Sequence, residues 1–171
     1  IILMTKDGGK HWQMLSASGT KKWLYDIEFL DQQNGFSVGE SGMVLKTTNG
    51  GDTWSKLDIE VDRRFYGFKP HFRDLDFSGP TGCIVGQNGS ILVSHDRGKT
   101  WNPSGTEIDP DIREYIDLWR VHFPTPMQGY AVGRLGTRIL VTEDGGRSWK
   151  LQPVNNHEWL WGIWARENGK I

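Results

Sequence analysis

The stretch Thr5-Lys6-Asp7-Gly8-Gly9-Lys10-His11-Trp12 is the first of four copies of one eight-residue pattern. The pattern is Ser/Thr-x-Asp-x-Gly-x-x-Trp, and one copy has Asn in place of Asp. The other copies are Thr47–Trp54, Ser94–Trp101 and Thr142–Trp149. Successive tryptophans are about 42–48 residues apart, and repeats built from four short strands have a period in that range. The sequence therefore predicts a series of four-stranded units.

The repeated pattern has the chemistry of a tight turn between two strands. An apolar run such as Ile91-Leu92-Val93 leads into the turn. Asp or Asn accepts hydrogen bonds from its own turn, glycine adopts a positive φ without steric cost, and tryptophan buries a large ring between units. A Ca²⁺ site is disfavoured, because the Asp position of the pattern supplies at most one carboxylate in each copy and Ca²⁺ requires several oxygen ligands. We expect a structural role for Asp7, Trp12, Asn49, Trp54, Asp96, Trp101, Asp144 and Trp149.

A second shared phrase lies upstream of three copies. It is Gly35-Phe36-Ser37-Val38-Gly39, then Gly82-Cys83-Ile84-Val85-Gly86, then Gly129-Tyr130-Ala131-Val132-Gly133. The repeated turn resembles the Asp-box (BNR) repeat, and the two phrases together are similar to the photosystem II stability/assembly factor-like propellers. The resemblance implies an all-β fold, a β-propeller of four-stranded antiparallel blades in which Asp-box turns join the third and fourth strands. The matching residues are those that build blades, so they carry less information on function.

The repeats divide the chain into successive blades of one propeller segment. We expect the last strands of a blade at 1–16, complete blades at 23–57, 72–104 and 118–152, and the first strand of a further blade at 159–171. The chain begins within one blade and stops within another, which favours a segment of a larger propeller or a homo-oligomer that covers open strand edges. A small ring of about four blades, closed by both chain ends, is the alternative.

Composition excludes several classes of protein. The 171 residues have a net charge of −1, which gives no general attraction to nucleic acid or to an anionic membrane. No apolar stretch approaches the ~18 residues of a membrane span. The single cysteine, Cys83, cannot form an internal disulfide, and no set of residues indicates a metal or another cofactor.

The connections between blades are the irregular part of the sequence, and long varied loops on a rigid scaffold often bind ligands. One connection, 61–73, mixes basic and aromatic residues, a second, 105–119, is acidic, and a third, 155–161, is aromatic and polar. Arg and aromatic residues are common at the centres of protein interfaces. Alternatively, the aromatic rings pack beneath the loops while the charges are solvated. The candidate binding residues are Arg63, Arg64, Tyr66, Phe68, Lys69, His71, Arg73, Tyr115, Trp119, Arg120 and Trp159.

The predicted innermost strands carry a second group of polar residues. These are Asp26, Glu28, Asp74, Asp76, Arg120 and His122, followed by the aromatic stretch 161–164. Two carboxylates at a suitable separation could serve a glycosidase, and sialidases and xyloglucan-processing hydrolases also contain Asp boxes. Neither a sialidase arginine set nor a second propeller is evident, however, so these residues are better explained as lining of the central channel.

The resemblance implies a non-catalytic scaffold that binds a protein partner through its loop-rich face, as an assembly or stability factor does. It also favours an exported location, whether periplasmic, lumenal or extracellular. A glycoside hydrolase or a carbohydrate-binding propeller is the alternative.

Overall fold

The computed structural model describes residues 1–15, 20–59, 69–106, 108, 115–136, 138–155 and 158–167. These residues form strands and one short 3-10 turn, Glu40–Gly42. The strands are β1 (Ile2–Met4), β2 (Gln13–Leu15), β3 (Leu24–Phe29), β4 (Gly35–Gly39), β5 (Met43–Thr47), β6 (Ser55–Lys56), β7 (Phe72–Ser78), β8 (Thr81–Gly86), β9 (Ile91–Ser94), β10 (Asn102–Pro103), β11 (Gly105–Thr106), β12 (Asp117–His122), β13 (Gly129–Arg134), β14 (Arg138–Thr142) and β15 (Ser148–Pro153).

Three of the sheets are antiparallel meanders of four consecutive strands. Their orders are β3-β4-β5-β6, β7-β8-β9-β10 and β12-β13-β14-β15, and β1 and β2 form a two-stranded sheet. We call β3, β7 and β12 the inner strands, since each starts its sheet and side chains of one hydrogen-bond to the backbone of the next. This is the blade architecture that the repeats predict.

Each Asp-box turn is held by the same two hydrogen bonds. In the third copy the Gly98 N–H donates to Ser94 Oγ (2.8 Å) and the Thr100 N–H donates to Asp96 Oδ1 (2.9 Å). Equivalent bonds occur in the other three copies. Gly98 has a φ of 74°, a conformation that glycine adopts without the steric cost of a side chain. The turn residues therefore close a hairpin, and their hydroxyl and carboxylate or amide oxygens already accept hydrogen bonds within the turn.

The core lies between neighbouring sheets. Phe36 and Val44 of one blade pack with Phe72 and Ile84 of the next, and a second cluster joins Val85 to Leu118 and other residues of the following blade. Apolar side chains on both faces of a sheet are buried in this way, which explains why the middle strands read as nearly continuous apolar runs.

The Asp-box tryptophans do not all behave as expected. Trp149 is 1% exposed, but Trp12 is 61% exposed, so the expectation that every one of these rings is buried is wrong for the first copy. The buried rings each meet a phenylalanine at or near the end of the inner strand of their own sheet. The pairs are Phe29–Trp54, Phe77–Trp101 and Phe123–Trp149. The described residues of the first sheet supply only β1 and β2, and hence no equivalent phenylalanine.

Two further features differ from the sequence expectation. The described residues 158–167 form no strand, because within the described part of the chain no second strand pairs with them. Ala165 is nonetheless buried, and Leu160 and Ile163 pack with it against Tyr130 and other residues of the last blade. At the outer edge, β11 adds to β15 as a parallel fifth strand, which covers part of an otherwise open strand edge.

Candidate functional site

One end of the blades is built from the connections between sheets and from the turns between second and third strands. We call this end the loop face, and the opposite end, which carries the Asp boxes, the Asp-box face. Backbone hydrogen bonds fasten the loops to the turns: the Gly42 N–H donates to Pro70 O at 2.7 Å and the Gly89 N–H donates to Ile116 O at 3.0 Å. Side chains at the start of each inner strand therefore emerge from a rigid support.

An arginine stacked on a tyrosine lies on the loop face where β3 and β7 begin. The Arg73 guanidinium carbon is 4.7 Å from the centre of the Tyr25 ring. The Tyr25 hydroxyl is 3.5 Å from His71 Nδ1, and the two rings are stacked. Arg73 Nε is buried, and no described residue accepts a hydrogen bond from it. A buried donor without an acceptor is costly, and this guanidinium is suited to donate hydrogen bonds to a carboxylate or a carbonyl of a bound molecule.

A cluster of three tryptophans lies where β12 begins. The rings of Trp119 and Trp161 stack at 4.2 Å, and Trp159 meets Trp119 edge to face at 5.7 Å. Trp161 is 69% exposed and Trp159 is 51% exposed. We call Trp119, Trp159 and Trp161 the tryptophan cluster. Large exposed apolar surface of this kind is typical of interaction sites.

The other predicted binding residues lie in different parts of the structure. Lys69 lies beside Gly42 on the loop face, and Tyr115 is exposed there while its carbonyl accepts a bond from Arg134 Nε. Arg120 Nη1 lies 3.7 Å from Asp74 Oδ1, so Arg120 belongs to the inner strands rather than to the loop face. Four predicted residues lie outside the described part of the chain, namely Arg63, Arg64, Tyr66 and Phe68.

The inner-strand aspartates link one blade to the next, a role that the sequence interpretation missed. Asp26 Oδ2 accepts a hydrogen bond from the Leu75 N–H at 3.1 Å, and Asp74 Oδ2 accepts one from the Val121 N–H at 2.8 Å. The two aspartates occupy equivalent positions of β3 and β7, where β12 has Arg120. That recurrence is the signal by which sequence alone could have identified the links.

Burial dominates the electrostatics of these carboxyls. It raises the pKa of Asp74 to about 7, and the neighbouring charge of Asp26 adds to the effect. Burial likewise raises the pKa of Asp76, and burial and the charge of Asp76 raise the pKa of Glu28. Raised pKa values often mark functional sites, but structural networks also produce them. Here the backbone hydrogen bonds favour the structural explanation for Asp74.

Neither a metal site nor a membrane-spanning helix is found in the part of the chain that the structure describes. No three His, Cys, Asp or Glu side chains come together there in a way that would hold a metal ion. None of its helices is long and apolar enough to cross a membrane.

A family model described as photosynthesis system II assembly factor YCF48 matches residues 4–112, which is more than half of the chain. The chain belongs to this family. Solved structures of the family support the same fold: YCF48 from Cyanidioschyzon merolae is 29% identical with a TM-score of 0.65, and this chain aligns over 82% of its own length and 42% of that chain. The predicted all-β propeller fold is thereby confirmed.

Curated family members match over shorter stretches. The photosystem II assembly lipoprotein Ycf48 of Prochlorococcus marinus strain MIT 9312 is 34% identical over 32% of this chain and 15% of that protein. The chloroplastic photosystem II stability/assembly factor HCF136 of Cyanidioschyzon merolae is 34% identical over 42% of this chain and 16% of that protein. The matched part of this chain thus spans well under half of these family members.

Two more distant structures show the fold alone. A YCF48 bound to D1 peptide is 24% identical with a TM-score of 0.65, over 77% of this chain and 40% of that one. An ancestral GH74 enzyme is 12% identical with a TM-score of 0.68, over 90% of this chain and 21% of that one.

Proposed function

We propose that this chain is a non-catalytic scaffold that binds an extended segment of a partner protein on its loop face, in the manner of a photosystem II assembly factor. The observation that carries the proposal is Arg73, whose guanidinium lies over the Tyr25 ring and whose buried Nε has no acceptor among the described residues. A partner carboxylate or carbonyl would accept hydrogen bonds from this guanidinium, and a hydrogen bond of a charged group contributes roughly 1.5–3 kcal/mol.

The surroundings of Arg73 support a peptide as the ligand. The tryptophan cluster offers a broad apolar surface on β12, and β12 packs beside β7, the strand that carries Arg73. Aromatic residues and arginine dominate binding energy at protein interfaces. The solved structure of a YCF48 bound to D1 peptide makes that peptide the first ligand to test. The undescribed basic residues Arg63 and Arg64 belong to the same connection and remain proposed contributors.

The alternative of carbohydrate binding also has an observation in its favour, since the exposed stacked rings of Trp119 and Trp161 could hold a sugar ring. Hydrolysis is less well supported. Asp26 and Asp74 each use a carboxylate oxygen for a backbone hydrogen bond, whereas a glycosidase needs one carboxyl as acid and another as nucleophile or base.

We also propose an exported location and a place within a larger propeller. The lipoprotein and chloroplastic names of the family members support export. The larger ring is supported by the exposed apolar side chains of the first sheet, Ile1, Leu3, Trp12 and Met14, and by the greater length of the solved family members. A homo-oligomer that covers the same surface is the other possibility, and light scattering of the purified chain distinguishes the two.

The test is a calorimetric titration of the 171-residue chain with D1 peptide, comparing wild type with Arg73→Gln. We expect the substitution to weaken binding about 10-fold or more, because it removes the charged donor while Tyr25 and the fold remain. Arg97→Gln is the matched control: Arg97 pairs with Asp31 in an exposed ion pair on the Asp-box face, and such pairs contribute little.

Absence of peptide binding by the wild-type chain would contradict the proposed function, as would equal losses for Arg73→Gln and Arg97→Gln. A parallel titration with a xyloglucan oligosaccharide tests the alternative. Sugar binding that Trp161→Ala abolishes and Arg73→Gln leaves intact would favour the carbohydrate-binding propeller.

A further inference from the structure

His122 lies on β12 and contacts both β7 and residues 158–167. Its Nδ1 lies 3.1 Å from Asp76 Oδ2 on β7, and its Nε2 lies 3.1 Å from the Ala165 carbonyl oxygen. The same Asp76 oxygen accepts a hydrogen bond from the Phe123 N–H. His122 is therefore a polar link between the last blade and residues 158–167, which also pack on that blade through apolar side chains.

This arrangement requires a definite number of protons. A carbonyl oxygen only accepts hydrogen bonds, so Nε2 must carry a proton. Nδ1 faces a carboxylate oxygen, so a second proton must lie between Nδ1 and Asp76 Oδ2, on either atom. A neutral histidine beside an ionised Asp76 has one proton too few. In that state a nitrogen lone pair faces either the carboxylate or the Ala165 carbonyl, and one of the two contacts becomes repulsive.

The local electrostatics favour retention of the second proton. Burial raises the pKa of the Asp76 carboxyl, against the opposing effects of the Phe123 N–H and of His122. Burial, followed by the charge of Asp76, raises the pKa of Glu28 on β3 and of the Cys83 thiol on β8.

Other charged groups near His122 are arranged around the same junction. Arg120 on the same strand is directed to Asp74. Arg166 and Glu167 line, together with His122 and Trp164, a cleft of about 680 Å³ beside the junction. These two groups bear opposite charges.

We propose that a proton shared by Asp76 and His122 clamps residues 158–167 onto the last blade, and that loss of this proton releases the segment. Because Trp159 and Trp161 are part of the clamped segment, release separates them from Trp119 and dissolves the tryptophan cluster of the loop face. The clamp stands on the hydrogen-bond geometry and does not depend on what the loop face binds. Its sign follows from the proton count: the segment is docked at lower pH and is released as pH rises.

The test is near-ultraviolet circular dichroism of the full chain between pH 5 and pH 9, since stacked indoles such as Trp119 and Trp161 produce a strong signal. For the wild type we expect the stacking signal to fall with rising pH in a one-proton transition. In His122→Gln we expect the signal to persist across the range, because the glutamine amide donates to the Ala165 carbonyl and does not titrate. His95→Gln, which alters an exposed histidine of an Asp box, should retain the wild-type transition.

A wild-type signal that does not change with pH would overturn the clamp, and so would an unchanged transition in His122→Gln. If His122→Gln fails to fold, nitrogen-15 NMR of the wild-type histidines provides a second measurement. We then expect the His122 resonances and the Trp161 indole resonance to shift with the same midpoint. Different midpoints would refute the coupling.

Discussion

At the scale of single residues, the four Asp-box tryptophans show that the burial of a side chain depends on its neighbours in the fold. They occupy the same position of the same turn, and the two hydrogen bonds that hold the turn are the same in all four copies. Three are buried against a phenylalanine of their own sheet, whereas Trp12 lacks that neighbour and is exposed. The pattern specifies the turn, but the burial of the ring depends on what packs against it.

This difference predicts unequal effects of one substitution. Trp149→Ala should lower the free energy of unfolding by about 3–5 kcal/mol, because it removes a fully buried aromatic ring and leaves a cavity. Trp12→Ala, a matched change at an exposed site, should lower it by about 1 kcal/mol or less. Urea unfolding followed by far-ultraviolet circular dichroism measures both. Equal losses for the two variants would contradict the packing described here.

At the scale of the element, neighbouring inner strands are joined by hydrogen bonds from backbone N–H groups to aspartate side chains. Within the described part of the chain, they are not joined by the backbone–backbone hydrogen bonds of a β-sheet. Asp74 is 8% exposed and accepts a hydrogen bond from the next inner strand. Its burial raises the pKa to about 7 from an ordinary value of 3.8. A raised pKa in the folded state means that the stability from this group is complete below pH of about 4 and is lost as pH rises through about 7.

We therefore expect the free energy of unfolding of the wild type to fall between pH 5 and pH 8. Asp74→Asn should reduce this fall by about 1–3 kcal/mol, because the amide oxygen still accepts the Val121 hydrogen bond and the side chain no longer ionises. Chemical unfolding at several pH values measures the slope. Glu143→Gln, at an exposed position, is the control and should leave the slope unchanged. The same slope in Asp74→Asn and wild type would show that Asp74 does not contribute to it.

At the scale of the whole molecule, the sequence periodicity was sufficient to predict the fold, because every blade repeats the same pattern of turn and strand residues. Turn glycines, alternating strands and the Asp-box tryptophan recur with one period, and the structure places them in one architecture. The contacts between blades are less regular. Arg120 stands where Asp26 and Asp74 stand in earlier blades, and its inward direction could not be inferred from repeats alone.

The candidate site was only partly predictable for the same reason. The loop connections differ in length and composition, so they carry no period from which positions can be derived. Sequence analysis selected Arg73 and Trp119 by residue type, but it missed the part of Tyr25, which lies at a register shift in β3 and supports the guanidinium from the neighbouring blade. Pairing across a blade interface is a tertiary property, and one strand's alternation does not reveal it.

We propose that the loop face, and not the Asp-box face, binds a segment of a partner protein. The most direct measurement is hydrogen–deuterium exchange of the 171-residue chain with and without D1 peptide. We predict slower exchange on binding at the loop-face segments 20–25, 69–73, 115–119 and 158–161, with no change in the four Asp-box turns. Protection confined to the Asp-box turns, with the loop face unaffected, would contradict the account.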